Sequence, residues 1–310
     1  MKKIGIVCCS NGLNESAQAM LEQLRITLEE FDILPVYSKH IFASENVRSG
    51  TGKKRAEALM HFYMENEVEA VFDISGGDIA NEILPYLDYS RLGDSDIPFY
   101  GYSDLTTVLN AIYTKTGKEC GLYQLRNVVK PRVEDDNKIV WKSRYPQLDW
   151  LVGYMEAYGK SRGETILLRE KSKNKNYPLL DIQYRFLQGE QMEGVMVGGN
   201  IRCFLKLAGT EYFPDLQGKI LVLESLGGYK AQMITYLSQL SQMGAFRKVN
   251  GIMLGTFTKL EEMGFKGFME EEVLKHAGSL PVAKTEEIGH GADAKCCMIG
   301  RNYHFYSGIR

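Results

Sequence analysis

"FYGYSDLTTVLNAIYTKTG" (99–117) sets a serine at a corner. Residues 99–102 suit a strand, and a helical pattern begins directly after Ser103 and Asp104. Leu105, Val108, Leu109, Ile112 and Tyr113 fall on one face, and Gly117 supplies the stop. A strand running straight into a helix is the repeating unit of a parallel α/β sheet. Ser103 therefore belongs at the carboxyl end of a buried strand, the edge where open α/β sheets bind ligands. A helix N-terminus beside it favours negative charge. Taken alone, Ser-Asp before a helix reads more simply as an N-cap worth about 1 kcal/mol.

The same alternation extends upstream. "KIGIVCC" (3–9) reads as a strand, and Asn14 is placed to cap a helix with Ala17, Leu21, Leu24 and Leu28 inside. "ILPVY" (33–37) is a strand that Pro35 confines to an edge. A helix over 51–66 and the dense apolar strand "VEAVFDI" (68–74) follow, then "SGGDIANEILPYL" (75–87), a glycine turn and short helix. This predicts a flavodoxin- or Rossmann-like parallel-sheet domain over 1–128. Across 129–163 the regularity fades. "KPRVEDDNK" (130–138) is polar and "YPQLDWLVGYMEAYGKSRG" (145–163) holds one helix, so this stretch is expected to link two domains. A mixed α/β domain is expected over 164–310. Its strands are "ETILLRE" (164–170), "EGVMVGGN" (193–200), "GKILVLES" (218–225), "GIMLGTF" (251–257), "LPVAKTEEI" (280–288) and "CCMIG" (296–300). A charged turn "KSKNKN" (171–176) and helices at 229–243 and 270–276 complete it. The length of 310 residues suits two domains.

A net charge of −2 gives no field for nucleic acid or an anionic membrane, which leaves small molecules and other chains as partners. No run approaches the ~20 apolar residues of a membrane span. The opening "MKKIGIVCCSNGL" has too short an apolar core for a signal peptide and suits a first strand. The six cysteines include the adjacent pairs Cys8–Cys9 and Cys296–Cys297 but no C-x-x-C, so buried thiols in a reducing cytoplasm are expected. "VRSGTGKK" (47–54) is no phosphate loop: Val47 replaces the first glycine and Lys54 the hydroxyl. It reads as a solvated helix start.

A serine hydroxyl is a poor nucleophile until a base takes its proton. Of five histidines, His61 and His276 lie in helical patterns, His40 in a polar loop and His304 in "NYHFY". His290 differs, sitting between glycines in "EIGHGAD" (287–293) just past a strand. Such a histidine is more often structural. Glu224 closes the apolar strand 220–223, and a carboxylate there either escapes to solvent or finds a partner. It would suit a histidine's orienter. All three groups occupy strand-end corners, which makes the set more specific than any member. The order Ser, Glu, His also occurs in α/β-hydrolases, but the elbow's second glycine is Leu105 here.

At these residues the sequence resembles the LD-carboxypeptidase family of serine peptidases, which includes the microcin-immunity peptidases. The matching stretches are "DISGGDIANEILPYLDYS" (73–90), 99–117, "EGVMVGGN", "GTEYFPDLQGKILVLES" (209–225), "YLSQLSQMGAFRKVNGIMLGTF" (236–257) and "IGHGAD" (288–293). The resemblance implies Ser103 as nucleophile, His290 as general base and then acid, and Glu224 as its orienter. It implies an oxyanion hole from the backbone N–H groups of Gly77 and Asp104, with the Asp104 side chain capping its helix. It implies hydrolysis of the bond to a terminal D-residue in murein tetrapeptides, or, in the immunity branch, of peptidyl-nucleotide conjugates. A homodimer and no metal or organic cofactor are also implied. Ser75 stands where many murein-acting members have Arg. "KECGLYQLRNVVKP" (118–131) replaces a Gly-Pro segment, and Glu224-Ser225 replaces an acidic pair.

Three functions are therefore carried forward: a serine carboxypeptidase acting on a small murein-type peptide, an immunity-type amidase, and a non-catalytic ligand-binding protein on the same fold. Cys296 and Cys297 read as core thiols rather than nucleophiles. Trp141, Trp150 and Tyr154 either line a cleft or pack a junction. Lys115 and Lys118 are expected to serve the helix C-terminus.

Overall fold

The computed structural model describes residues 1–44, 46–134, 138–170 and 182–308; the "KSKNKN" turn lies outside them. In the first third, strands β1 (Lys2–Val7), β2 (Ile33–Tyr37), β3 (Ala70–Asp73), β4 (Phe99–Gly101) and β5 (Cys120–Leu122) alternate with helices. These are α1 (Gln18–Glu29), α2 (Gly52–Glu65), α3 (Tyr89–Asp94) and α4 (Thr106–Thr116). The strands run parallel in the order β5-β4-β3-β1-β2, a doubly wound arrangement whose order reverses at β1 and β3. β3 is buried throughout because strands flank it and helices cover it. β2, with Pro35, is the edge.

Caps depart from expectation in detail. The Asn14 side chain makes no cap bond; a 3-10 turn intervenes and α1 starts at Gln18, with Leu24 and Leu28 fully buried. The α2 start is held by Thr51, whose side chain accepts from the Lys54 N–H. Gly117 closes α4 with φ of 72°. Lys115 bonds Glu211, and Lys118 turns away from α4. Its Nζ donates to the Leu92 and Ser95 carbonyls, where burial pushes its pKa down to about 8.

Residues 129–163 form an antiparallel pair, β6 (Val129–Val133) and β7 (Ile139–Ser143), then α5 (Tyr145–Ser161). α5 buries Leu148, Leu151, Tyr154 and Tyr158 in the same core as the first sheet. Trp141 and Trp150 pack against that core too, and the Tyr154 hydroxyl accepts from the Cys296 N–H. These aromatics serve packing.

The remaining strands are β8 (Ile166–Arg169), β9 (Tyr184–Gln188), β10 (Gln191–Asn200), β11 (Ile220–Ser225), β12 (Gly251–Phe257), β13 (Val282–Thr285), β14 (Cys297–Ile299) and β15 (Asn302–Tyr306). All but one build a mixed sheet in the order β8-β15-β10-β11-β12-β13-β9, whose parallel centre is β10 to β13. Helices α6 (Ile201–Leu205) and α7 (Lys230–Gln242) cover it around a second core. The exception is β14, which leaves its neighbours in sequence and pairs antiparallel with β5 at the open edge of the first sheet. The buried Arg301 guanidinium beside it donates to Glu119 at 2.9 Å and to Ser161 at 2.9 Å.

Helix α4 joins the two halves. Asn110 exchanges two hydrogen bonds with the Gly198 backbone, at 2.9 and 2.8 Å, and the Thr106 hydroxyl accepts from the Asn200 N–H at 3.0 Å. The approach requires glycine. At Gly199 φ is 126°, and a Cβ there would stand 2.7 Å from Thr106 Oγ1.

Candidate active site

The end of β4 makes a sharp corner. Tyr102 is extended and Ser103 has φ of 57°, one of four non-glycine residues with positive φ among those described. A left-handed serine costs of order 1 kcal/mol and recurs at functional turns. Gly101 is needed because a Cβ there would lie 2.7 Å from the Leu105 Cβ. Leu105, at the place of the elbow's second glycine, folds back over Gly101 and helps close the turn.

Glu224 lies near the end of β11, and His290 lies in the loop five residues past β13. The β11–β12 register shifts beside Glu224: Leu223 pairs with Leu254 and Ser225 with Phe257, so the extra residue lies in β12, opposite Glu224. Its carboxylate is fully buried, and Oε2 lies 2.7 Å from His290 Nδ1. The Tyr102 hydroxyl reaches the same oxygen at 3.3 Å, and its ring centroid is 4.7 Å from the imidazole's. Burial first, and the Glu224 charge second, push the Tyr102 hydroxyl well above its ordinary pKa, so it acts as a donor. Gly289 lets the histidine loop lie on β12: its φ is 143°, and a Cβ there would overlap the Thr256 side chain. Gly291 faces open space.

The structure thus joins His290 to Glu224 and sets Tyr102, the neighbour of Ser103, against both. It makes no hydrogen bond from Ser103 to His290: the imidazole Nε2 is buried with no hydrogen-bond partner. A carboxylate on Nδ1 fixes the tautomer that leaves Nε2 as an acceptor, the state required to receive a proton.

Gly77 and Asp104 each present a backbone N–H at this edge, and among the described residues neither donates a turn, cap or side-chain hydrogen bond. Gly77 has φ of 130°, and a Cβ would overlap the Asn11 side chain. Asn11 in turn accepts the Asp78 N–H at 3.1 Å. The Asp104 carboxylate does not cap its own helix. It is fully buried and accepts from Ser10 Oγ at 2.7 Å and from the Ala80 N–H at 2.8 Å. Ala80 opens the neighbouring 3-10 helix Ala80–Tyr86, so Asp104 caps across space rather than along the chain. Burial outcompetes the local cap because the turn at Ser103 points the side chain inward.

Sequence reasoning missed several groups here. Asp73 is buried at the end of β3, where its carboxylate accepts from the Cys9 N–H at 2.5 Å and from the Ser75 N–H at 2.7 Å. Burial raises its pKa against those bonds. Ser75 itself is committed, donating to Asp73 and accepting from the Ser10 N–H at 3.0 Å. All six cysteines are buried and free; burial pushes the Cys297 thiol up to about 12, as suits a core thiol. Among the described residues no group of three or more His, Cys, Asp or Glu is placed to hold a metal ion, and no helix is long and apolar enough to cross a membrane.

A doubly wound sheet with a positive-φ serine just past β4, packed against a mixed sheet beside which the Glu224–His290 pair lies, defines a two-sheet α/β protein. The LD-carboxypeptidase N-terminal domain matches residues 4–124 and the LD-carboxypeptidase C-terminal domain matches residues 193–305; the chain belongs to the LD-carboxypeptidase family. A putative carboxypeptidase of Treponema pallidum is 22% identical over 298 residues, covering 93% of this chain and 85% of that protein. The murein tetrapeptide carboxypeptidase of Pseudomonas aeruginosa is 24% identical over 290 residues, covering 92% and 86%. MccF in complex with glutamyl sulfamoyl guanosine superposes with a TM-score of 0.77 at 21% identity, over 97% of this chain and 92% of that one. The similarity to MccF establishes the shared fold, a mostly parallel sheet followed by a mixed one.

Proposed function

We propose that this chain is a serine carboxypeptidase that cleaves the amide bond to a C-terminal D-residue of a small murein-type peptide through an acyl-enzyme. Ser103 Oγ attacks the carbonyl carbon while His290 Nε2 takes its proton. Glu224 holds the imidazole and offsets the charge it gains. The Gly77 and Asp104 N–H groups receive the oxyanion; losing one such donor typically costs ~10²–10³ in turnover. His290 then protonates the departing amine, and water releases the acyl group by the same route reversed. The observation that carries this reading is the buried Glu224–His290 pair, whose free Nε2 lies in the same cluster as the Tyr102–Ser103 corner.

A second reading, an amidase for aminoacyl- or peptidyl-nucleotide conjugates, is favoured by Ser75. Its hydroxyl is tied to Asp73, so the glycine turn carries no cation of its own at that position. MccF, which shares the fold, is known with glutamyl sulfamoyl guanosine bound. The proposal includes a cytoplasmic setting, supported by six free buried thiols, and a homodimer, supported by family resemblance.

Purified protein offered a murein tetrapeptide and, separately, aspartyl sulfamoyl adenosine should cleave one of them and show an acyl adduct on Ser103 by intact mass. Ser103→Ala should remove both signals. Equal turnover by that variant would refute the assignment, and binding without cleavage by wild type would favour the ligand-binding reading.

A further inference from the structure

One charged cluster near the site has no role in the chemistry above. Arg202 in α6 and Lys206 just past its end are four residues apart and reach together from the C-terminal half onto the N-terminal half. Lys206 Nζ is 2.5 Å from Asp104 Oδ1 and 2.9 Å from the Asp78 carbonyl oxygen. Arg202 donates to the Gly77 carbonyl at 3.3 Å and contacts the Asp78 carboxylate. Gly77, Asp78 and Asp104 are thus all fastened to one short stretch of the other half. Two of them carry the N–H groups assigned to the oxyanion hole.

Charge matters as well as position. The Asp104 carboxylate is fully buried, one residue beyond the nucleophile. Left alone, that anion would oppose a second negative charge developing on the substrate oxygen a few ångströms away, in a region of low dielectric. Ser10 and Ala80 donate to it but bring no net charge. Lys206 is the cation bonded to it, with only 19% of its side chain exposed.

We infer that Lys206, seconded by Arg202, is a positioning residue for the oxyanion hole: it pins the 77–78 turn to the nucleophile corner and neutralises Asp104. This rests on the reading of Ser103 as nucleophile. Lys206 touches no reacting atom, so its loss acts on the transition state and leaves ground-state binding largely intact. A salt bridge that served stability alone would change melting temperature and leave kcat per folded molecule untouched.

The test uses full-length wild type, Lys206→Met, Lys206→Arg, Arg202→Gln and Ser103→Ala. The probes are the murein tetrapeptide and aspartyl sulfamoyl adenosine, with backbone hydrogen exchange over 76–80 measured in parallel. Lys206→Met should lower kcat roughly 30- to 100-fold, with KM within about threefold. Lys206→Arg should recover most of the loss. Exchange over 76–80 should rise in Lys206→Met and stay near wild type in Lys206→Arg. Arg202→Gln, at a half-exposed position, should fold normally and lose roughly three- to tenfold in kcat. The inference is overturned if folded Lys206→Met keeps kcat and exchange at wild-type values. Should Lys206→Met fail to fold, unchanged kcat and exchange in Arg202→Gln overturn it equally. Turnover surviving in Ser103→Ala would instead sink the nucleophile assignment, and the exchange data would still decide whether Lys206 holds the turn.

Discussion

His290 Nδ1 and Glu224 Oε2 stand 2.7 Å apart, and the carboxylate oxygen is shared with the Tyr102 hydroxyl at 3.3 Å. The residue preceding the candidate nucleophile therefore touches both members of the candidate relay. The Tyr102 phenol, not Ser103 itself, links the β4 corner to the Glu224–His290 pair.

Glu224→Gln should keep the fold and lower kcat by roughly 10³–10⁴, because a side-chain amide facing Nδ1 favours the wrong imidazole tautomer. Tyr102→Phe removes only a supporting donor and should cost about three- to tenfold. Steady-state kinetics on the cleaved probe checks both; a larger loss in Tyr102→Phe than in Glu224→Gln would reverse the assigned roles.

Ser103→Gly should raise stability while abolishing turnover. The left-handed backbone costs a serine of order 1 kcal/mol, and glycine adopts it freely at some entropic expense. A gain of about 0.5 kcal/mol in denaturant titration is expected, against almost none for Ser103→Ala. A clear loss in Ser103→Gly would show that the corner is not strained.

The two glycines beside His290 should behave differently. Gly289→Ala places a Cβ on Thr256 at positive φ and should cost about 2–3 kcal/mol together with most activity. Gly291→Ala meets open space and should stay within about threefold of wild type. Thermal melts and kcat/KM of the pair give the answer. Equal damage from both would mean that the loop moves.

Acid should loosen the glycine-turn side of the site through Glu82. Its carboxyl is held below the ordinary range by the Arg48 hydrogen bond first, then by attraction to Arg55 and Arg48. Arg55 is buried, and burial lowers its own pKa despite Glu82. A carboxyl depressed in the folded state contributes fully above its unfolded value of about 4.3, and that contribution disappears as pH falls through the lower folded value. Glu82→Gln should therefore destabilise the protein at pH 7, and the gap to wild type should close in acid as the wild-type carboxyl becomes protonated. Melting curves from pH 7 to pH 3 test it; a gap that widens in acid contradicts the sign.

Much of this molecule is legible in its sequence, because buried parallel strands and amphipathic helices write their periods plainly. "VEAVFDI", "GKILVLES" and the 105–117 pattern fall where their spacing predicts. So do Ser103 and Glu224 at strand ends, since a polar residue closing an apolar run has few other places to be, and His290 falls in the glycine loop past β13. What stayed hidden is whatever depends on a partner far along the chain. Asp104 next to a helix start looks like its cap, and only the positive φ of Ser103 turns it toward Ser10, Ala80 and Lys206. Arg202 and Lys206 sit at ordinary surface spacing, with no local sign of the turn they hold. "NYHFY" and 184–188 lack the apolar density of their neighbours, so nothing local marks them as strands. "KCCMIG" announces a buried strand but not its sheet, for an apolar triplet fits either edge.

That last choice has a consequence for biosynthesis. Because β14 seals the outer side of β5, a sheet opened by residues 2–7 is finished only by residues 297–299. Until then the β5 backbone stands open as a template for intruding strands. A chain cut before residue 290 would carry Ser103 yet lack both His290 and the seal, so the β5 edge stays unprotected until the residues of β14 have been made.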